Sequence, residues 1–174
     1  MSRTHANRGA VAESAIEAVH RGYTACGHYV QRNPTAWRII GKTKAGQMLA
    51  VPGSESPPDW IVVAEGVAFL LDVKSTIGPR WSLADLPEHQ AAAFDRWQGQ
   101  GPTFRAGVVL SLNHHGALAW LPWSWLGPRW WSWYAQSQRA APGTASISVG
   151  EIGAHRLRSW DWLPRALAGL GVDG

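Results

Sequence analysis

The chain has 174 residues, is 45% hydrophobic, carries a formal net charge of +4 and contains one cysteine, Cys26. That length suits one domain with a substantial core, and the apolar content excludes a disordered chain. A lone cysteine excludes an internal disulfide framework and Cys-based zinc sites and favours a reducing, intracellular setting, while the basic excess suits an anionic partner, nucleic acid first.

Residues 1–6 read as a frayed arm, and "MSRTHANRGA" has basic residues with no apolar stretch behind them to make a leader. From Asn7 to Cys26 the positions Val11, Ala12, Ala15, Ile16, Val19 and Tyr23 share one face at helical spacing, with Asn7 as N-cap and Gly27 as stop. A short strand is expected over 28–33. Residues 35–56 follow as a basic β-ribbon or loop carrying Arg38, Lys42 and Lys44. A hairpin occupies 57–76, a helix runs from Pro87 to Trp97, and strands are expected at 105–112, 116–122 and 146–152, with a last helix near 161–170. The apolar window 117–134 contains Pro122, Pro128 and Arg129, so a membrane span is not expected there. One helix, a central sheet, then a helix and more strands make an α/β or α+β domain.

The hairpin "PPDWIVVAEGVAFLLDVKST" is nearly all apolar, yet holds Asp59, Asp72 and Lys74. Glu65-Gly66 is the expected turn, since glycine tolerates the positive φ of tight turns. With that loop, Ala64 faces Val67 and, counting outward, Asp59 faces Asp72, their Cβ atoms roughly 4.5–5.5 Å apart on one side of the sheet. Lys74 shares that side because strand side chains alternate with period two. Opposed carboxylates repel, and a divalent cation such as Mg²⁺ would relieve them. A nearby lysine can orient water or stabilise charge on a phosphate, the chemistry of phosphodiester hydrolysis. Taken singly, the residues also allow a plainer reading, with Asp59 starting a turn and Asp72–Lys74 as a surface pair.

PD…(D/E)xK is the signature of the restriction-endonuclease-like nuclease superfamily. Several segments further resemble the RecU family of Holliday junction resolvases: "NRGAVAESAIEAVHRGY" its opening helix, "NPT" the start of its stalk, "PPDW" and "FLLDVKST" its metal-binding strands. "SLADLPEHQ" is similar to its Leu-rich turn and helix start, and "SISVGEI…SWDWLPRAL" to its C-terminal segment, in the same order over residues 7–168. One departure is Asp72-Val73-Lys74 where the family usually has Glu-x-Lys, and aspartate is the shorter ligand. The resemblance is not carried through the tryptophan-heavy segment 120–133.

The resemblance implies an α/β restriction-endonuclease-like fold, a central mixed sheet flanked by helices, in a single nuclease domain over 1–174 with 35–56 as a stalk. It implies Mg²⁺, with Mn²⁺ substituting, held by Asp59, Asp72, Glu13 and the Val73 carbonyl. Lys74 would serve the attacking water and Gln90 would hold a phosphate or water. Arg8, Arg38, Lys42, Lys44 and His89 would contact DNA. The implied protein is a homodimer acting on four-way junctions by paired symmetric nicks that leave 5′-phosphate and 3′-hydroxyl ends. It would be cytoplasmic, nucleoid-associated or phage-encoded in a bacterial host.

Helical geometry puts Glu13 roughly 120° from the centre of the first helix's apolar face and Glu17 roughly 160° away, so Glu13 flanks the sheet and Glu17 faces solvent. Tryptophans 120, 123, 125, 130, 131 and 133 suit a core or dimer interface better than base stacking. Two other functions fit the same residues: a superfamily nuclease acting on duplex or flap DNA, and a non-catalytic junction-binding protein.

Overall fold

The structure, a computed structural model, describes residues 6–34, 37–52, 56–113, 116–138 and 145–168. Its centre is a six-stranded mixed sheet in the order β1-β4-β5-β7-β8-β10: β1 (Tyr29–Arg32), β4 (Trp60–Ala64), β5 (Val67–Thr76), β7 (Phe104–Leu112), β8 (Ala117–Pro122) and β10 (Arg156–Leu157). Among its described strands only β5 and β7 run parallel. They lie mid-sheet with both faces covered, so they read as near-continuous apolar runs rather than alternating ones.

Strand alternation splits the core into two layers. Leu70, Val108, Leu110 and Leu121 pack with Ala91 and Phe94 of α2 (Glu88–Gln98) and with Trp123, Leu126 and Trp130 of α3 (Trp123–Ser137). Phe69, Leu71, Val109 and Trp120 pack with Ile16 and Tyr23 of α1 (Ala6–Ala25) and with Leu163 and Ala166 of α4 (Leu163–Ala168). This is the expected mixed sheet flanked by helices. Gly107 lets β7 and Trp120 approach closely, since a Cβ there would lie 2.5 Å from the Leu121 carbonyl oxygen.

The hairpin register matches the count from the turn. Glu65 (φ 48°) and Gly66 (φ 73°) both take positive φ, as a two-residue turn requires, and Ala64 pairs with Val67 through to Trp60 with Leu71. Residues 37–52 form the expected ribbon, β2 (Trp37–Lys42) against β3 (Met48–Pro52), hydrogen-bonded apart from the main sheet. Lys42 and Lys44 are exposed on it.

Other expectations are corrected. The strand expected over 146–152 is only β9 (Ser146–Ser148), paired with β6 (Arg80–Ser82) in a small separate sheet. Residues 169–170 of the expected last helix lie outside the described residues. Helix α3 was not expected, because Pro128 inside it argues against a helix. Burial of Trp123, Leu126, Gly127 and Trp130 at i, i+3, i+4 and i+7 outweighs the one hydrogen bond that Pro128 forgoes. Trp120, Trp123 and Trp130 are core, while Trp125, Trp131 and Trp133 pack partly buried against it. Among the described residues no helix is long and apolar enough to cross a membrane.

Candidate active site

β4 ends at Trp60 while its partner β5 runs on to Thr76, so Asp72 and Lys74 extend past the paired hairpin, and Asp59 sits at the mouth of that step. By alternation Asp72 and Lys74 lie on the Leu70 face, which α2 covers. The surface-pair reading fails here, because Asp72 is only 1% exposed.

Lys74 Nζ lies 2.6 Å from Asp72 Oδ2. Gln90, buried in the first turn of α2, joins the two: its Nε2 donates to Asp72 Oδ1 at 3.3 Å and its Oε1 accepts from Lys74 Nζ at 3.2 Å. Asp59 Oδ2 accepts the Val73 backbone N–H at 2.8 Å. A strand residue's N–H and C=O leave on the same edge, so the Val73 carbonyl also faces the Asp59 side. Burial and then the neighbouring Asp72 charge push the Asp59 carboxyl up to about 7, against the lowering effects of the Val73 N–H and Lys74.

The segment before Asp59 is fastened from two sides. Asn33 Nδ2 donates to the Pro58 carbonyl at 2.6 Å, and the Asn33 N–H donates to the Asp59 carbonyl at 2.7 Å. His89 Nε2 bonds the Ser56 carbonyl at 2.9 Å, which ties the segment before Asp59 to α2. Asn33 was missed as a positioning residue. Its only sequence signal is Asn before Pro at the end of a short strand.

Glu13 is placed differently from expectation. Its carboxylate pairs with Arg32 at 2.8 Å, and Glu17 pairs with the same guanidinium. Among the described residues no group of three or more His, Cys, Asp or Glu side chains is arranged to hold a metal. The helical estimate erred because Val11, counted as apolar face, is 69% exposed, whereas His20 is buried in the stripe with Ala12, Ile16 and Tyr23. Re-centred there, Glu13 lies roughly 65° and Glu17 roughly 105° from the stripe, both within reach of β1. Arg8 and Arg38 are placed in α1 and β2 by their backbone alone.

The residues present fit a small oxygen-seeking cation. Asp72 Oδ2 is fully buried and has the Lys74 ammonium at ion-pair distance, yet no aligned hydrogen bond. Beside it stand a second carboxyl whose charging is opposed by the first and a main-chain carbonyl on the same side. Carboxylate and carbonyl oxygens are what Mg²⁺ takes, with waters filling the remaining positions.

The fold and site thus define a paired-aspartate and lysine centre at the end of a hairpin in a mixed sheet. No family model matches the chain, and no curated protein matches it by sequence. Among solved structures, Hjc from Archaeoglobus fulgidus, a Holliday junction resolvase from an archaeal hyperthermophile, is similar over 82% of this chain and 93% of its own, with TM-score 0.47 and 12% identity. So distant a likeness carries none of the functional reading.

Proposed function

We propose that the protein is a Mg²⁺-dependent, structure-selective DNA endonuclease that resolves four-way junctions by paired symmetric nicks, leaving 5′-phosphate and 3′-hydroxyl ends. The observation that carries this reading is the convergence of Asp59, Asp72 and Lys74 where β5 outruns β4, with Gln90 bridging Asp72 and Lys74. The order of segments similar to the RecU family supports the junction as substrate, and the exposed Lys42 and Lys44 of the ribbon suit phosphate contacts that position DNA without reading its sequence.

In this reading Asp59, Asp72 and the Val73 carbonyl hold the cation, which supplies charge neutralisation at the scissile phosphate and a more acidic water. Gln90 and Asp72 fix the Lys74 ammonium at two points, so its charge is already aimed when a phosphate arrives and no reorganisation is needed during attack. The tether from Val73 N–H aligns the Asp59 carboxylate. Asn33 and His89 set the height of the loop that carries it. Two copies of the chain would present two such sites to the two strands that are nicked.

The test is cleavage of an end-labelled four-way junction with Mg²⁺, beside matched duplex, for wild type and Asp72→Asn. Paired nicks on the junction alone, absent in the variant, support the reading. A second reading, a non-catalytic junction-binding protein, is favoured by one observation: Glu13 is taken by Arg32, leaving two carboxylates at the site. Tight junction binding with no cleavage in Mg²⁺ or Mn²⁺ would select it.

A further inference from the structure

A cavity of about 220 Å³ opens at the other end of the sheet from Lys74, beneath the start of β7. Arg105 of β7, Arg165 of α4, His155 before β10, Gln98 at the end of α2 and Ser124 at the start of α3 all line it. From Gln90 at the carboxylates to Gln98 at the cavity is eight residues of α2, roughly 12 Å along its axis. The two sites are separate.

Two arginines and a histidine meet here, and among the described residues no acidic side chain lines the cavity. Among the described residues neither Arg105 nor Arg165 has an ion pair; each donates to a backbone carbonyl, Arg105 to Phe104 and Arg165 to Ala154. A guanidinium has five N–H donors, so most of theirs are left for water or a ligand. The nearest carboxylate along α2, Asp95, is already engaged by the indole N–H groups of Trp123 and Trp131. Arg129 adds charge beside the cavity, stacked over Trp125, which in turn packs on His155. The local field is felt: burial, then Arg165 and Arg129, lower the basicity of His155.

We infer that this cavity is a phosphate-binding site, in which Arg105 and Arg165 hold the phosphate group of a DNA backbone or of a free phosphate compound, at a distance from the proposed catalytic centre. The shape and the donors suit that chemistry. Planar guanidinium forks match phosphate oxygens two at a time, and a half-enclosed wall of Phe69, Ala106 and Trp120 limits competition by water. The DNA source rests on the nuclease reading above, whereas the phosphate chemistry of the cavity does not.

The test compares wild type, the double variant Arg105→Gln/Arg165→Gln and Ser124→Asp. Ser124 is exposed in the first turn of α3, where an aspartate favours the helix while placing negative charge at the cavity. Inorganic phosphate is titrated by NMR, and binding of a four-way junction and of duplex is measured in EDTA across salt concentrations. Phosphate is expected to shift the resonances around Ala106 and Arg165, and both variants should weaken that binding at least tenfold. If the source is DNA, the slope of log affinity against log salt should shallow by about 0.9 for each lost phosphate contact on duplex. Arginine-dependent phosphate binding with an unchanged DNA slope assigns the cavity to a free phosphate compound. No saturable phosphate binding in wild type, with DNA slopes equal in all proteins, overturns the inference. Should the double variant lose its fold by circular dichroism, Ser124→Asp decides. Failure of the nuclease reading would show separately, as absent cleavage with phosphate binding still dependent on Arg105 and Arg165.

Discussion

Lys74 Nζ sits 2.6 Å from Asp72 Oδ2, two residues back on the same face of β5, and both are held by Gln90 from another element. Asp72→Asn keeps the shape of the side chain and removes its charge. Cleavage should fall at least a hundredfold, on the order of 3 kcal/mol of transition-state stabilisation. The Asp59 carboxyl, relieved of its neighbour's charge, should titrate below about 7, which carboxyl NMR would follow. An Asp59 titration unmoved by the substitution would mean burial alone sets it.

Metal affinity should depend on pH through Asp59. A carboxyl must lose its proton to bind a cation, so Mg²⁺ affinity should climb as pH rises towards about 7 and level off above, with a proton released per ion below that point. The stability effect has a definite sign. A folded-state value raised above the unfolded one stabilises the fold at low pH, and that stabilisation is lost as pH rises through about 7. Mg²⁺ should restore melting temperature most at alkaline pH. Calorimetry in buffers of differing ionisation heat would measure the protons directly.

His20 should act with the opposite sign. Burial lowers its basicity from the ordinary 6.5 to about 4, and its Nε2 accepts from the Trp162 indole N–H at 3.2 Å. Folding therefore favours the neutral ring: the associated stability is full above about 6.5 and is lost as pH falls through about 4. The loss is on the order of 3 kcal/mol. Because Asp59 titrates in an overlapping window, the comparison is wild type against His20→Gln by urea unfolding from pH 4 to 8. The variant's curve should lack the acid-side decline.

Asp95 docks α3 onto α2 by accepting the indole N–H groups of Trp123 at 2.6 Å and Trp131 at 2.7 Å. Asp95→Ala would strand the buried Trp123 donor, costing about 1–3 kcal/mol. Urea unfolding followed by tryptophan fluorescence would show the lowered midpoint. An unchanged midpoint would mean that water replaces the carboxylate.

Glu13→Gln separates two roles for that carboxylate. Held by Arg32 at the half-exposed flank of α1, it should change stability by about 0.5 kcal/mol or less. If it also reaches the cation during turnover, cleavage should fall at least tenfold with Mg²⁺ affinity reduced. Cleavage within twofold of wild type would confine Glu13 to the Arg32 pair.

The hairpin was legible because its determinants are local. A two-residue turn at Glu65-Gly66 allows one register, and counting from it sets Asp59 opposite Asp72 with Lys74 on the same face. The same local logic marks α1, β7 and the separate ribbon, where periodicity and turn residues act within a few positions. Tertiary structure alone decided the rest. Whether Asp72 is a surface acid or a buried one depends on α2 lying across β5, and Gln90 becomes its partner only by that docking. Glu13 turned to Arg32 because β1 lies beside α1, nineteen positions away along the chain. His20 joined the core, and a proline-containing segment became α3, because burial against distant aromatic rings outweighed local preference. Spacing in a sequence determines which side chains share a face, whereas charge pairing and burial depend on what packs against that face, and those partners come from elsewhere in the chain.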